Sequence, residues 1–277
     1  MTIGIVTDST AYLPPGVARD LGIRVVPVQV VVDGQAFDES DVSVAVLTAA
    51  LREGKPVTTS RPSAAACEQV YAELAAAGAQ SIVSIHLSGD MSGTYESALI
   101  AAGRVSIPVH VIDSRQVGMA LGFPVIRAAR AAADGAAVHE IAARAKAECE
   151  AGLIAFSVDT LEFLARGGRI GSGAARIGGA LQVKPILAVV NGKVESHDRV
   201  RTSSKAVARL VELAVTHAVG PCDIAVHHVA DEVRAFGLAA ALGPALGVDD
   251  IVVTQCGAVI AAHVGPGALA VVVSPRR

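Results

Sequence analysis

The amino-acid sequence predicts an α/β protein with two domains, the first built on a parallel sheet and the second on a mixed sheet. In residues 3–150, apolar β-branched runs alternate with amphipathic segments, which is typical of parallel strands joined by helices. After Gly152 a hairpin signal and glycine-rich loops replace this alternation. We therefore expect an N-terminal domain of residues 1–151 and a C-terminal domain of residues 152–277.

Strands of the first half are predicted where apolar residues run without interruption. These runs are residues 3–7, 24–32, 81–87 and 109–112. Helices are predicted where apolar residues recur at helical spacing, and a helix with Val44, Leu47 and Leu51 on one face is expected to be capped by Asp41. The other predicted helical segments are a short one opened by Pro14-Pro15, the face Cys67-Val70-Tyr71-Leu74, and residues 96–103 and 138–150.

In the second half, the clearest signal is a hairpin with Asn191-Gly192 at its turn, a pair that favours a type I′ turn. Ser203 or Ser204 is expected to cap the helix that follows this hairpin. The predicted strands are residues 153–158, 183–190, 193–201, 224–229, 251–254 and 268–273. Residues 161–166 lead into the glycine-rich segment 167–173, and residues 256–262 are predicted to form a short helix.

Three of the predicted strands end in polar clusters, at residues 8–9, 88–92 and 113–114. Parallel strands joined by right-handed crossovers end at the same edge of a sheet. We therefore expect these clusters to share the edge where α/β proteins bind their ligands.

The central cluster lies in a loop between a predicted strand and a predicted helix. Gly89 and Gly93 permit a sharp turn, and Ser88, Ser92 and Thr94 offer hydroxyls beside the first helical N–H groups. Such a loop suits a phosphate or a carboxylate, because a helix N-terminus carries partial positive charge. A capped helix without a ligand is the alternative interpretation.

Composition and charge narrow the function classes. The chain is 52% hydrophobic but only 3% aromatic, with no Trp, so aliphatic walls are expected in the core and in any pocket. A net charge of −3 without a basic run argues against a nucleic-acid partner. The apolar stretches fall short of the ~20 residues of a membrane span. Four isolated cysteines, and a strand that begins at Ile3 with no signal peptide before it, predict reduced thiols and a cytoplasmic protein.

Common catalytic and cofactor motifs fit this sequence poorly. Residues 89–94 lack the Lys-Ser/Thr of a P-loop, and residues 168–173 have the wrong glycine spacing for a dinucleotide fingerprint. Ser92 is not in a G-x-S-x-G elbow, although Ser92 and His263 could form a nucleophile–base pair.

A metal site is a weak hypothesis for this chain. His227, His228 and Asp231 are close in sequence, but a strand directs adjacent side chains to opposite faces. We expect no metal and no cofactor.

A set of short motifs follows the order of a known family. These motifs are Thr7-Asp8-Ser9-Thr10, Thr59-Ser60-Arg61-Pro62-Ser63, Ser92-Gly93-Thr94-Tyr95-Glu96-Ser97-Ala98, Asp113-Ser114, Leu164-Ala165-Arg166-Gly167-Gly168-Arg169-Ile170, Lys184-Pro185-Ile186-Leu187, Val200-Arg201-Thr202 and His263-Val264-Gly265-Pro266-Gly267. Through them the chain resembles, over nearly its full length, the bacterial DegV family, the fatty-acid-binding subunits of fatty acid kinase. Arg61 is a departure, because the family usually has Gln there, and it changes the charge beside Thr59.

The resemblance implies a three-layer α/β/α N-terminal domain, a two-layer α/β C-terminal domain and a ligand tunnel between them. A long-chain fatty acid such as palmitate, stearate or oleate would lie in that tunnel. Thr59, Ser92, Arg169 and His263 match the family residues that hold the carboxylate.

The resemblance also implies a division of labour between two proteins. A separate ATP-binding kinase subunit would convert the bound fatty acid to an acyl phosphate for phospholipid synthesis, and Arg201 matches an arginine associated with docking of that subunit. The chain would then present a substrate and not be an enzyme itself. Two other functions stay open: a stand-alone serine hydrolase or acyltransferase that uses Ser92 and His263, and a lipid sensor without a catalytic partner.

Overall fold

The computed structural model describes residues 2–171 and 183–276. Its strands, in chain order, are β1 (Ile3–Asp8), β2 (Arg24–Val26), β3 (Gln29–Val32), β4 (Gln35–Asp38), β5 (Val57–Ser60), β6 (Ser81–His86), β7 (Val109–Asp113), β8 (Leu153–Ser157), β9 (Lys184–Val190), β10 (Lys193–Val200), β11 (Cys222–His228), β12 (Ile251–Gln255) and β13 (Leu269–Pro275). Its α-helices are α1 (Val17–Asp20), α2 (Val44–Arg52), α3 (Ala64–Ala76), α4 (Thr94–Ala102), α5 (Met119–Ala133), α6 (Val138–Ala151), α7 (Glu162–Arg166), α8 (Ser203–His217), α9 (Glu232–Leu246) and α10 (Ala258–Val264).

The first half contains a four-stranded parallel sheet in the order β2-β1-β6-β7. Successive side chains of a strand point to opposite faces of the sheet. Because apolar residues occur at successive positions of these strands, both faces of this sheet are apolar. Ile5, Val83 and Ile85 pack against α5 and α6, whereas Val6 and Ile82 pack against α3 and α4. The expected α/β/α layering is confirmed.

The polar strand ends meet at one edge of this sheet. The buried carboxylate of Asp8, at the end of β1, accepts the N–H of Leu87 at 2.9 Å. Asp113, at the end of β7, accepts the N–H of Gly89 at 3.1 Å. The prediction that these clusters converge is confirmed, since parallel pairing aligns the carboxyl ends of β1, β6 and β7.

The single strand predicted for residues 24–32 is wrong, because Pro27 divides it. Proline has no N–H to donate to a ladder, so the chain leaves the parallel sheet after β2. The next strand, β3, belongs to a separate antiparallel sheet in the order β4-β3-β5. The sequence pattern predicted neither β4 nor β5, and β5 carries Thr59.

The second half forms a six-stranded mixed sheet in the order β10-β9-β8-β13-β11-β12. Helices α8 and α9 cover one face of it. The predicted hairpin is confirmed, since β9 and β10 pair antiparallel, and Asn191 and Gly192 have φ values of 49° and 82°. A type I′ turn requires positive φ at both positions.

Two helix caps differ from the prediction. The hydroxyl of Ser43, and not the carboxylate of Asp41, caps α2. The hydroxyl of Thr202, instead of Ser203 or Ser204, caps α8. In both helices the capping residue has extended backbone directly before the first helical residue, which places its oxygen on the free N–H groups.

Helix α5 was not predicted from the sequence. Residues 119–126 are all buried and apolar, so no polar side chain marks the helical period there, while Gly122 and Pro124 interrupt the pattern. One side of α5 packs on the parallel sheet and α6, and another side contacts β13 of the mixed sheet. The helix therefore joins the two halves.

A partly buried polar network fastens α5 to the second half. Nε of Arg127 donates to Glu148 at 2.7 Å, and Nη2 of the same side chain donates to Ser274 on β13 at 2.7 Å. Arg127 also pairs with Asp223 on β11. Each sheet takes its described strands from one side of Gly152, and the domain division at that residue stays a prediction.

A membrane-spanning helix would have to be both long and apolar. None of the helices in residues 2–171 and 183–276 meets both conditions.

Candidate functional site

A cavity of about 440 Å³ lies between the mixed sheet and the first half. Its walls are largely aliphatic, and both halves contribute to them. Val28 and Leu87 come from the first half, whereas Ile154, Val189 and Val259 come from the second. Such a volume is within the range of small-ligand sites.

Four predicted site residues line this cavity together: Thr59, Ser92, Arg169 and His263. They come from β5, the loop between β6 and α4, the segment after α7, and the last turn of α10. We refer to these four side chains as the head-group clamp. Arg201 lies elsewhere, exposed in the connection between β10 and α8.

The Thr59 hydroxyl lies 2.8 Å from Nε2 of His263. Burial lowers the pKa of His263 to about 4, and the charge of Arg169 acts in the same direction, so the imidazole is neutral at pH 7. Nδ1 of this ring has no hydrogen-bond partner among the described residues. A Cβ added at Gly167 would overlap Nδ1, which shows how closely the ring packs on that glycine.

These contacts assign the tautomer of His263. A proton on Nδ1 would be a buried donor without an acceptor, which is costly. With the proton on Nε2, the ring donates to Thr59. The hydroxyl hydrogen of Thr59 is then free to donate to an acceptor in the cavity.

Arg169 is held by backbone carbonyls. Its Nε donates to the carbonyl of Met91 at 3.1 Å, and Nη1 donates to the carbonyl of Gly167. No carboxylate among the described residues lies within ion-pair distance of this guanidinium, and residues 172–182 contain neither Asp nor Glu. A partly buried cation without a protein counter-charge favours an anionic ligand.

Ser92 lies at the start of α4 and faces the cavity. Its Oγ accepts the N–H of Thr94 at 3.3 Å and lies 2.9 Å from the Thr94 hydroxyl. The side chain thus accepts the first N–H of α4 from two residues before the helix and also lines the cavity. Arg169 is hydrogen-bonded to Met91, the residue before Ser92, and both Ser92 and Arg169 line the cavity. The Ser92 hydroxyl and the Arg169 guanidinium therefore lie on the same side of the cavity.

The geometry gives no support to a Ser92–His263 nucleophile pair. In the described residues the hydrogen bonds of Ser92 Oγ go to Thr94, while Nε2 of His263 is engaged by Thr59. A general base must reach the hydroxyl that it deprotonates.

The histidines of the metal hypothesis have other partners. Nε2 of His227 accepts the N–H of Met119 at 2.9 Å, and Nδ1 lies 2.8 Å from the Thr254 hydroxyl. His228 Nδ1 accepts the N–H of Asp231 at 3.2 Å. No group of three or more possible metal ligands occurs in the described part of the chain.

The sequence-based search missed the contacts that fix α10. The hydroxyl of Tyr12 donates to Glu39 at 2.9 Å, and the same carboxylate accepts the N–H of Val259 at 2.9 Å. Burial raises the pKa of Glu39. Tyr12 follows the polar strand end at residues 8–10, and this position could have indicated a functional residue. Its pairing with a residue of the other half could not be predicted from the sequence.

An ion pair lies at the rim of the cavity. Nη1 of Arg61 is 2.8 Å from Glu96, and both side chains are largely exposed while contributing to the lining. The guanidinium packs on Gly93, where an added Cβ would lie 2.5 Å from Nη1. The positive charge of Arg61 is therefore paired with Glu96 in this structure.

Comparison with known proteins identifies relatives over the whole chain. Residues 2–276 match the family model described as "Uncharacterised protein, DegV family COG1307". A DegV domain-containing protein of Streptomyces coelicolor is 46% identical, with 99% of each chain covered. Another from Deinococcus radiodurans is 37% identical, also with 99% of each chain covered.

Solved structures agree with the fold. A DegV family protein from Thermus thermophilus, whose structure is described for its fatty acid binding, is 34% identical with a TM-score of 0.93, and both chains are fully covered. DegV from Bacillus subtilis, described as a fatty acid binding protein, is 31% identical with a TM-score of 0.89 and the same full coverage.

Proposed function

This chain belongs to the DegV family, and from that premise we propose that it binds a long-chain fatty acid. The alkyl chain would occupy the cavity, and the carboxylate would be held by the head-group clamp. Relatives more than 30% identical to this chain are described as fatty acid binding, which supports the proposal.

The observation that carries the proposal is the guanidinium of Arg169 at an aliphatic cavity, with no carboxylate of residues 2–171 or 183–276 paired to it. A carboxylate removed from water needs hydrogen-bond donors and a counter-charge. Arg169 supplies the charge, and the hydroxyls of Thr59 and Ser92 supply further donors. Neutral His263 would orient Thr59 through their shared hydrogen bond.

The alkyl chain would provide most of the affinity. Each buried methylene contributes ~0.8 kcal/mol, from which the ordering of the flexible chain is subtracted. The clamp would fix the orientation of the molecule, with the carboxylate toward the rim at Arg61 and Glu96. Palmitate, stearate and oleate are all candidate ligands.

We further propose that this chain presents the carboxylate to a separate ATP-binding kinase subunit. The partner would supply the nucleotide and the metal and would form the acyl phosphate, a precursor for phospholipid synthesis. This chain would position the nucleophilic oxygen, and exposed Arg201 would take part in docking.

Mass spectrometry of lipids extracted from the purified protein tests the binding proposal. A fatty acid should co-purify with the wild-type chain at near-equimolar ratio and be strongly depleted in Arg169→Ala. Delipidated protein that takes up no fatty acid from solution would contradict the proposal. Incubation with a kinase subunit and ATP then separates a presenting subunit from a sensor, because only a presented fatty acid becomes an acyl phosphate.

A further inference from the structure

The turn of the β9–β10 hairpin is docked onto the loop that carries Ser92. We refer to residues 191–194 as the hairpin tip. The buried hydroxyl of Ser88 donates to the carbonyl of Gly192 at 2.7 Å. Nη2 of Arg115 donates to the carbonyl of Asn191, and it also lies 3.4 Å from Asp90. Side chains of the first half thus hold backbone carbonyls of the second half.

Gly192 is packed too closely for a side chain. A Cβ at this position would lie 2.7 Å from Oγ of Ser88 and 3.0 Å from Oδ2 of Asp90. Its φ of +82° also belongs to the region that favours glycine. The hairpin tip and the loop therefore have one close-fitting arrangement.

Ser88 in turn determines where Ser92 lies. The carbonyl of Ser88 accepts the N–H groups of Met91 and Ser92 at 3.0 and 3.1 Å. Its Oγ accepts the N–H of Asp90 at 3.2 Å. A shift of Ser88 would be transmitted to Ser92 through this single turn of backbone.

The hairpin tip also contacts the segment of Arg169. Val194 and Ile170 form a parallel β-bridge, and Ile170 directly follows Arg169. Nε of Arg169 donates to the carbonyl of Met91, in the loop that carries Ser92. The hairpin tip, this loop and the segment of Arg169 are therefore all in mutual contact. The hairpin tip is thus the common support of two clamp residues that are far apart in the sequence.

We propose that the hairpin tip is a positioning element that sets the separation of Ser92 and Arg169 in the head-group clamp. The proposal rests on the proposed function, since the clamp is defined by its carboxylate ligand. Val194 of the hairpin tip lines the cavity, whereas Gly192, Ser88 and Arg115 lie outside the cavity lining and would act through the clamp. Their substitution should weaken recognition of the carboxylate while leaving the aliphatic cavity intact.

Gly192→Ala tests this with Gly34→Ala as its matched control. Both glycines follow a residue with positive φ in a hairpin turn, with φ values of +82° and +81°. At Gly34, however, no atom in the part of the chain that the structure describes lies within 4 Å of an added Cβ. The measured quantities are the Kd values for palmitate and for its methyl ester, which has the same tail and no charge. We expect Gly192→Ala to weaken palmitate binding about tenfold and to leave the ester nearly unchanged. Gly34→Ala should change neither value.

General destabilisation of the protein would weaken the binding of both palmitate and its methyl ester. A loss of affinity for palmitate alone therefore distinguishes a positioning effect from a folding defect. Equal losses for acid and ester in Gly192→Ala, or no loss at all, would overturn the proposal. If wild-type protein binds neither palmitate nor the ester, the proposed function fails, and this inference fails with it. Binding by the wild type with an unaffected Gly192→Ala variant refutes the positioning role alone.

A milder pair of variants covers the case in which Gly192→Ala does not fold. Ser88→Ala removes one hydroxyl at the contact, and its effect on palmitate binding is compared in wild-type and Ser92→Ala backgrounds. If Ser88 acts through Ser92, the loss should shrink in the second background; full additivity would contradict the proposal. Arg115→Ala should resemble Ser88→Ala, whereas Arg104→Ala, which removes an exposed arginine paired with Glu68, should have no effect.

Discussion

Thr59 on β5 and His263 on α10 are 204 residues apart in the sequence, yet the Thr59 hydroxyl lies 2.8 Å from Nε2 of His263. This hydrogen bond connects the small antiparallel sheet of the first half to the helix between β12 and β13 of the mixed sheet. A ligand held there depends on both halves at once.

Arg169→Ala should weaken the binding of a long-chain fatty acid about ten- to hundredfold, because hydrogen bonds to charged groups are worth about 1.5–3 kcal/mol. Titration calorimetry with palmitate measures the change. Arg166→Ala is the control, since it removes the same charge from an exposed side chain that pairs with Glu162. Equal losses in the two variants would show that net charge, and not the clamp, is responsible.

Gly167→Ala should lower stability by about 1–3 kcal/mol and also weaken fatty acid binding, because the new methyl group would displace the His263 ring from Thr59. Urea unfolding and palmitate titration measure the two effects. Gly171→Ala in the same loop is the control, since no atom of the described residues lies within 4 Å of a Cβ there. A Gly167→Ala protein with unchanged affinity would argue against an orienting role for His263.

The ligand-free protein should lose stability as the pH falls from about 6.5 to 4. Burial lowers the pKa of His263 and of His227 to about 4, whereas both titrate near 6.5 in the unfolded chain. The unfolded state therefore takes up protons that the folded state does not bind, which favours unfolding as the pH decreases.

Unfolding free energies measured across this pH range test the effect. His263→Gln should reduce the slope of the unfolding free energy against pH. His139→Gln, at an exposed position on α6, should leave that slope unchanged. An unaltered slope in His263→Gln would mean that the folded protein does not hold this histidine neutral.

Arg201→Ala should leave fatty acid affinity unchanged and slow acyl phosphate formation by the kinase subunit, because Arg201 is exposed and lies outside the cavity lining. Palmitate titration and a phosphorylation assay with ATP give the two measurements. Arg52 is also an exposed arginine, at the end of α2, and Arg52→Ala should change neither the fatty acid affinity nor the rate of acyl phosphate formation. If Arg201→Ala loses binding and phosphorylation to the same extent, docking is not its role.

Several elements could be predicted because their causes are local. The type I′ turn at Asn191-Gly192 follows from two residues that tolerate positive φ. The convergence of Asp8 and Asp113 on the loop after β6 follows from the alternating pattern, since parallel strands can end only at a common edge.

Other elements could not be predicted because their causes are distant. Residues 119–126 of helix α5 carry no polar side chain that would mark a helical period, since the parallel sheet covers one side of the helix and the mixed sheet another. Strand β5, which carries Thr59, is short and is defined by its pairing with β3. Asp41 and Ser43 are both acceptable caps by residue type, and only the backbone conformation selects Ser43.

The sequence by itself determined the α/β class and the polar strand ends, because periodicity and side-chain chemistry are properties of short segments. The four residues expected to hold the carboxylate were implied by the resemblance to the DegV family. Only the tertiary structure decided that Thr59 pairs with His263, that the His263 ring packs on Gly167, and that the hairpin tip contacts the segments that carry Ser92 and Arg169. These contacts join segments brought together by packing of the mixed sheet on the first half, and no local pattern encodes such a meeting.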